Sequence, residues 1–145
     1  MSGPALVLDQ GIGDVFSARI AGNFVNADIL GSMEFASKVA GSKVIVVPGH
    51  TSCGAIKGAC DDVVLGNLTS VMNAIKPAVK SVPSDGQPRN STNYKFVEKV
   101  AEANVKLTMH DIRQKSPVLR DMIDKGEVML VGAMLDVSTG AITWY

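Results

Sequence analysis

Residues 44–54 have the sequence VIVVPGHTSCG, in which an apolar run is followed directly by a short polar segment. The run Val44–Val47 is uninterrupted and β-branched, a pattern typical of a strand buried on both faces of a parallel sheet. A helical stretch comes next, so this part of the chain is predicted to be a strand, a turn and a helix. In α/β folds ligands bind beyond the carboxyl ends of strands, and His50 and Cys53 occupy such a position.

The flanking sequence continues this alternation of strands and helices. The further predicted elements are a strand at 15–21, a helix capped by Asp28 and ended by Gly41, a helix at 67–82 interrupted near Pro77, a helix at 93–114, a short helix from Ser116-Pro117 to Gly126, and strands at 127–136 and 141–145. We predict one α/β domain over residues 1–145, with strands 15–21, 43–48 and 127–136 in a mainly parallel sheet flanked by helices. The last strand is expected at an edge, antiparallel to its neighbour.

The composition excludes several classes of protein. Fourteen Lys and Arg balance 14 Asp and Glu without any basic run, which argues against nucleic-acid and membrane-surface binding. Apolar residues make up 46% of the chain, which argues against disorder. The apolar stretches fall short of the ~18 residues of a membrane span, and Asp9 interrupts any signal-peptide core, so we expect a cytoplasmic protein. Charged residues are only 19%, which suggests a surface covered by another subunit.

His50 and Cys53 form an H-x2-C pair that could bind a metal ion. Imidazole and thiolate are ligands that zinc takes in proteins, but a catalytic zinc needs three protein ligands and the spacing identifies no third. The alternative, which the spacing leaves open, is a hydrogen-bonded loop histidine beside a small buried thiol. Cys60 lies two turns along the same predicted helix and is expected in the core, and His110 is expected to be solvated.

Short motifs along the whole chain resemble those of the beta-class carbonic anhydrases, in the order and spacing of that family. They are Asp9-Gln10-Gly-x-Gly-Asp14-x-Phe16, Arg19-x-Ala-Gly-Asn23, Gly31-Ser-Met-Glu34-Phe35-Ala36, Gly49-His50-Thr51-x-Cys53-Gly54-Ala55, Asn104-Val105, Ser116-Pro117-Val-Leu119 and Val131-Gly-Ala133-x-x-Asp136-x-x-Thr139-Gly140. The resemblance implies an α/β fold and an enzyme that reversibly hydrates CO2 to bicarbonate at a zinc ion held by two cysteines and one histidine. Of those ligands, His50 and Cys53 match two.

The resemblance also assigns a substrate pocket and an assembly. Phe16, Ala21 and Phe35 match residues that line the family's apolar CO2 pocket, to which a neighbouring subunit contributes. Gly54 matches a position whose backbone N–H can hold a substrate oxygen. Self-association as a dimer or tetramer is therefore expected.

One part of the family pattern has no counterpart in this sequence. The first zinc ligand belongs to a C-x-D-x-R motif that precedes the segment matching Val7–Gln10, and without gaps its arginine falls on Met1. We therefore expect this chain to lack the first cysteine ligand, the Asp–Arg pair that orients the nucleophile, and the family's first strand, which lies between the next two. Weak zinc binding and slow CO2 hydration follow as expectations. The alternative function is a non-catalytic homologue that acts as a binding or assembly module.

Overall fold

A computed structural model describes residues 8–145, in which helices and strands alternate along the chain. The elements are α1 (Ala27–Glu34), a π-helical turn (Phe35–Val39), β1 (Val44–His50), α2 (Gly54–Cys60), α3 (Leu68–Ser81), α4 (Tyr94–Lys115), α5 (Pro117–Asp124), β2 (Met129–Leu135) and β3 (Ile142–Trp144). This arrangement confirms the predicted α/β class. Among the described residues, none of the helices has the length and apolar character needed to cross a bilayer.

The sheet contains three strands in the order β1-β2-β3. β1 and β2 are parallel over seven residue pairs, from Val44 opposite Met129 to His50 opposite Leu135. β3 is antiparallel to β2 over three residue pairs. The predicted parallel pair and the antiparallel edge strand are confirmed. Seven of these pairs are parallel and three antiparallel, so the sheet is mixed and, as predicted, mainly parallel.

The strand predicted at 15–21 does not form, and that prediction was wrong. These residues have no strand structure, and within the described part of the chain the outer edge of β1 has no neighbouring strand. A β-strand exists through hydrogen bonds to a neighbour, so an apolar and β-branched composition is not sufficient to make one.

Two helix predictions also need correction. The cap of α1 is Asn26 and not Asp28, since the Asn26 side chain accepts a hydrogen bond of 2.9 Å from the backbone N–H of Ile29. In α3 the helix continues through Pro77 without a break. Ile75 and Ala78 on either side of the proline are completely buried, and this packing offsets the loss of one backbone hydrogen bond.

Helix α4 packs across the sheet and forms the centre of the core. The completely buried side chains of the helices are Ala59, Ile75, Ala78, Val100, Val105, Ile112 and Leu119. Gly49 in β1 and Gly132 in β2 allow α4 to approach the sheet closely, because a Cβ at these positions would lie 2.7 and 2.8 Å from the Val105 side chain. This close packing fixes the end of β1, where His50 lies.

The start of α5 confirms the predicted Ser-Pro helix entry. The Ser116 hydroxyl accepts a hydrogen bond of 3.1 Å from the backbone N–H of Leu119, and Pro117 occupies the first turn. The same hydroxyl donates to a carboxylate oxygen of Glu34 at 2.6 Å. Ser116 thereby joins the end of α1 to the start of α5 inside the core.

Candidate functional site

A cavity of about 670 Å³ opens at the carboxyl end of β1. One wall consists of residues 46–50 of β1 and the start of α2, and the facing wall includes the irregular segment 18–25. Helices α1 and α4 and strands β2 and β3 contribute further lining residues. Apolar residues of the lining include Ala18, Ile20, Ala21, Val25, Ile29 and Val47. The volume lies within the ~300–1,000 Å³ that is usual for small-molecule sites.

His50 and Cys53 both line this cavity. His50 is the last residue of β1, and Cys53 is the N-terminal cap of α2. The Nδ1 atom of His50 lies 2.8 Å from the carbonyl oxygen of Thr51. Because a carbonyl oxygen can only accept a hydrogen bond, Nδ1 carries the proton in this arrangement, and the lone pair of Nε2 remains free for a metal ion or another partner.

The loop between the two candidate ligands is attached to the end of β2. The backbone N–H of Thr51 donates to the carbonyl oxygen of Leu135 at 2.9 Å, and the Thr51 hydroxyl accepts from the backbone N–H of Val137 at 3.0 Å. Ser52 has a φ of +56°, a left-handed conformation that costs a residue other than glycine roughly 1–3 kcal/mol. The hydrogen bonds of Thr51 offset this strain and fix the backbone between His50 and Cys53.

The facing wall is held by one buried side chain, Asn104 of α4. Its Nδ2 donates to the carbonyl oxygen of Gly22 at 2.7 Å and to the side-chain oxygen of Asn23 at 2.9 Å. Gly22 has a φ of +82°, and a Cβ at this position would lie 2.4 Å from the Cδ1 atom of Ile75. Only glycine therefore fits where the segment crosses α3.

Sequence reasoning had not given Asn104 this function, although a signal was present. Asn104 lies four residues after Val100 and three after Ala101, at the spacing of the buried face of α4. It is only 1% exposed. A carboxamide on an otherwise apolar helix face must find hydrogen-bond partners inside the protein, so its position alone points to a polar contact in the core.

The four residues predicted to line a substrate pocket fall into two groups. Ala21 and Gly54 line the same cavity as His50 and Cys53. Phe16 and Phe35 lie instead at a separate surface depression, where their rings meet edge to face with centroids 6.3 Å apart. Both phenylalanines are more than half exposed, at 59% and 54%. The assignment of these residues to a CO2 pocket stays a prediction.

The donor atoms at the cavity suit zinc in type but not in number. Among residues 8–145, no three His, Cys, Asp or Glu side chains are grouped so that they could hold a metal ion. Residues 1–7, MSGPALV, contain none of these residue types. His50 and Cys53 are thus candidate zinc ligands at this cavity, two where a catalytic zinc takes three.

The other cysteine and the other histidine are positioned as expected. Cys60 is in the core at 5% exposure. Burial, together with the charge of Asp61, raises the pKa of the Cys60 thiol to about 11, and Cys60 is not among the residues that line the cavity. His110 is exposed on the surface of α4.

Solved structures with the same fold are beta-carbonic anhydrases. The beta-carbonic anhydrase CcaA superposes with a TM-score of 0.83 at 24% identity, over 99% of this chain and 68% of that chain. CafA of Aspergillus fumigatus gives a TM-score of 0.82 at 26% identity, over 99% of this chain and 69% of that chain. Two tetrameric beta-carbonic anhydrases from Sordaria macrospora give a TM-score of 0.81 at 22% identity, covering 98% and 73%.

Sequence relatives agree with this class. The carbonic anhydrase family model matches residues 2–142. Carbonic anhydrase 2 of Mycobacterium tuberculosis is 30% identical over 140 residues, which are 93% of this chain and 64% of that protein. The carbonic anhydrase of Mycolicibacterium smegmatis is 27% identical over 142 residues, covering 94% and 66%. The chain belongs to the beta-carbonic anhydrase family, and it spans less than two thirds of the length of either relative.

Proposed function

We propose that this chain provides two of the three zinc ligands, His50 and Cys53, of a carbonic anhydrase that reversibly hydrates CO2 to bicarbonate. The observation that carries the proposal is that an imidazole and a thiol line one apolar cavity at the end of β1, in a chain of this family. Zinc, when bound, lowers the pKa of its water towards ~7 and so supplies hydroxide near neutral pH.

The chain's own residues have separate parts in this function. The free Nε2 of His50 and the Cys53 thiolate would hold the metal. The apolar lining, which includes Ala21 and Val47, would admit CO2 and limit the number of water molecules beside it. Gly54, at the same cavity, would donate its backbone N–H to a substrate oxygen, as its position in the family motif implies.

We propose that the third ligand comes from polypeptide outside these 145 residues. The support is the donor count, since Cys60 lies in the core away from the cavity lining and the acidic and histidine side chains of the described chain do not group with His50 and Cys53. Full zinc sites in small structural domains gain ~10–16 kcal/mol of apparent binding energy, and loss of a thiolate removes a substantial part of it. By themselves, the 145 residues should bind zinc weakly and hydrate CO2 slowly.

Matched substitutions test the identity of the two ligands. We expect Cys53→Ser and His50→Ala to abolish the zinc affinity that the chain retains, measured by competition with a chromophoric chelator. Cys60→Ser and His110→Ala replace the same residue types away from the cavity and should leave that affinity unchanged. Equal losses in Cys53→Ser and Cys60→Ser would contradict the assignment, as would stopped-flow CO2 hydration that His50→Ala does not affect.

A second candidate function is a non-catalytic module that binds or assembles with other subunits. The incomplete set of donors favours it. Both functions include self-association as a dimer or tetramer, for which the exposed Phe16 and Phe35 offer an apolar surface. Sedimentation velocity at micromolar concentration should show a dimer or larger species. If the chain never binds zinc in any assembly, the non-catalytic function is favoured.

A further inference from the structure

We propose that Thr51 is a positioning residue, whose hydroxyl sets the orientation of His50 relative to Cys53. This inference rests on the proposed function of those two residues. Three polar groups of Thr51 make contacts: the N–H with the carbonyl of Leu135 at 2.9 Å, the hydroxyl with the N–H of Val137 at 3.0 Å, and the carbonyl with Nδ1 of His50 at 2.8 Å.

The hydroxyl contact differs in kind from the backbone contact. The N–H of Thr51 continues the β1–β2 ladder by one step beyond the pair of His50 and Leu135, so any residue other than proline could make it. The hydroxyl reaches past the end of β2 to Val137, in the turn towards β3. This second attachment depends on the side chain at position 51.

The attachment matters because the chain changes direction immediately afterwards. Ser52 adopts its left-handed conformation one residue later, and Cys53 follows it. The peptide group whose oxygen accepts from the His50 ring is therefore the one that begins the path to Cys53. When the hydroxyl holds Thr51 in place, it fixes both the orientation of the His50 ring and the backbone path that leads to Cys53.

The turn that supplies the Val137 N–H is itself well held. The carboxylate of Asp136 accepts from the backbone N–H of Ser138 at 2.8 Å and from its hydroxyl at 2.6 Å. These hydrogen bonds also keep the pKa of Asp136 below its usual range, so the carboxylate stays charged at neutral pH. The Asp136 backbone N–H donates to the carbonyl of Ala141 at 2.9 Å, which closes the turn.

The test compares Thr51→Val, which keeps the shape but loses the hydroxyl, with Thr51→Ser, which keeps the hydroxyl. In metal-free protein we expect Thr51→Val to speed amide hydrogen exchange at Val137 and to shift the ¹⁵N signals of the His50 ring. Zinc affinity should fall ~10–100-fold, the range typical when a group that orients a ligand is removed. Thr51→Ser should retain the wild-type values, and thermal unfolding of both variants shows whether the fold is kept.

Two results would overturn the proposal. One is that Thr51→Val leaves the ¹⁵N signals of the His50 ring unchanged, and the other is that Thr51→Ser shifts these signals as much as Thr51→Val does. If Thr51→Val does not fold, Val137→Pro removes the same hydrogen bond from the donor side, and the same shift of the His50 signals is expected. If wild-type protein binds no zinc under any condition, the proposed ligand function fails. The metal-free measurements still decide the function of Thr51 in that case.

Discussion

The two walls of the cavity are built in different ways. The wall that contains His50 and Cys53 continues a seven-pair parallel ladder, and Thr51 attaches it to the next turn. The facing wall, residues 18–25, has no regular secondary structure and is fastened to α4 through Asn104. Backbone pairing therefore fixes the position of the candidate ligands. A few side-chain contacts, in contrast, hold the other wall and so determine the shape of the cavity.

The largest expected effect is a loss of folding stability on shortening a buried isoleucine. The same substitution at an exposed isoleucine near the N-terminus should have almost no effect. Ile75 is completely buried and packs beneath Gly22, while Ile12 is fully exposed. Ile75→Ala should lower the free energy of unfolding by ~2–5 kcal/mol, because it leaves a cavity. Ile12→Ala should change it by less than ~0.5 kcal/mol. Urea unfolding measures the free energy of unfolding of both variants. A similar loss in the two would contradict the distinction between a packed core and an exposed N-terminal segment.

An intermediate effect is expected at Asn104. Asn104→Ala removes two hydrogen bonds and leaves the buried carbonyl of Gly22 without its donor, at a cost of ~1–3 kcal/mol. Hydrogen exchange should become faster in residues 18–25 and stay slow in the β1–β2 ladder. Asn73 is an exposed asparagine in α3, and Asn73→Ala serves as the control with little change. If Asn104→Ala speeds amide hydrogen exchange in the β1–β2 ladder as much as in residues 18–25, the two walls are not held independently.

The smallest effect concerns the pH dependence of stability. In the folded protein the pKa of Cys60 is raised from 9.0 to about 11, mainly by burial. Between these values the unfolded chain has lost a proton that the folded chain keeps, so stability is complete below pH 9 and falls as pH rises towards 11. At pH 10, midway between the two values, the drop should be ~1.4 kcal/mol, since one pKa unit corresponds to ~1.4 kcal/mol.

Cys60→Ala isolates this contribution. Lysine and tyrosine side chains titrate in the same range in both proteins, so the difference between the two pH profiles belongs to Cys60. Chemical unfolding at several pH values from neutral to alkaline measures it. Parallel profiles for the variant and the wild type would mean that the folded protein does not disfavour the Cys60 thiolate.

The sequence was sufficient to predict an element where its local pattern agrees with the backbone pairing that the fold provides. Val44–Val47 and residues 127–136 are apolar runs whose pairing partner is present, and both form strands. Ser116-Pro117 is a helix entry whose hydrogen bonds are local, and it formed as predicted. The strand predicted at 43–48 forms as Val44–His50, so His50 ends the strand two residues beyond the predicted limit.

The sequence was insufficient where the outcome depends on distant parts of the chain. Residues 15–21 have the composition of a strand but lack a neighbouring strand in the described chain, which local pattern cannot show. Pro77 stays within α3 because Ile75 and Ala78, in the same turn of the helix, are completely buried. Phe16 precedes the irregular segment 18–25 and Phe35 begins the π-helical turn, and the way these parts of the chain pack places both rings at a separate depression.

The central claim is that these 145 residues contain two of the three ligands of a carbonic anhydrase zinc site. The most direct test is the zinc content per chain after dialysis, measured by mass spectrometry of metals. Two proteins are compared: this chain, and the same chain joined to an N-terminal segment with a C-x-D-x-R motif. The account predicts well below one zinc for the chain alone and about one zinc for the extended chain, with CO2 hydration appearing alongside it. A full zinc ion on the chain alone, with ordinary hydration rates, would contradict the account.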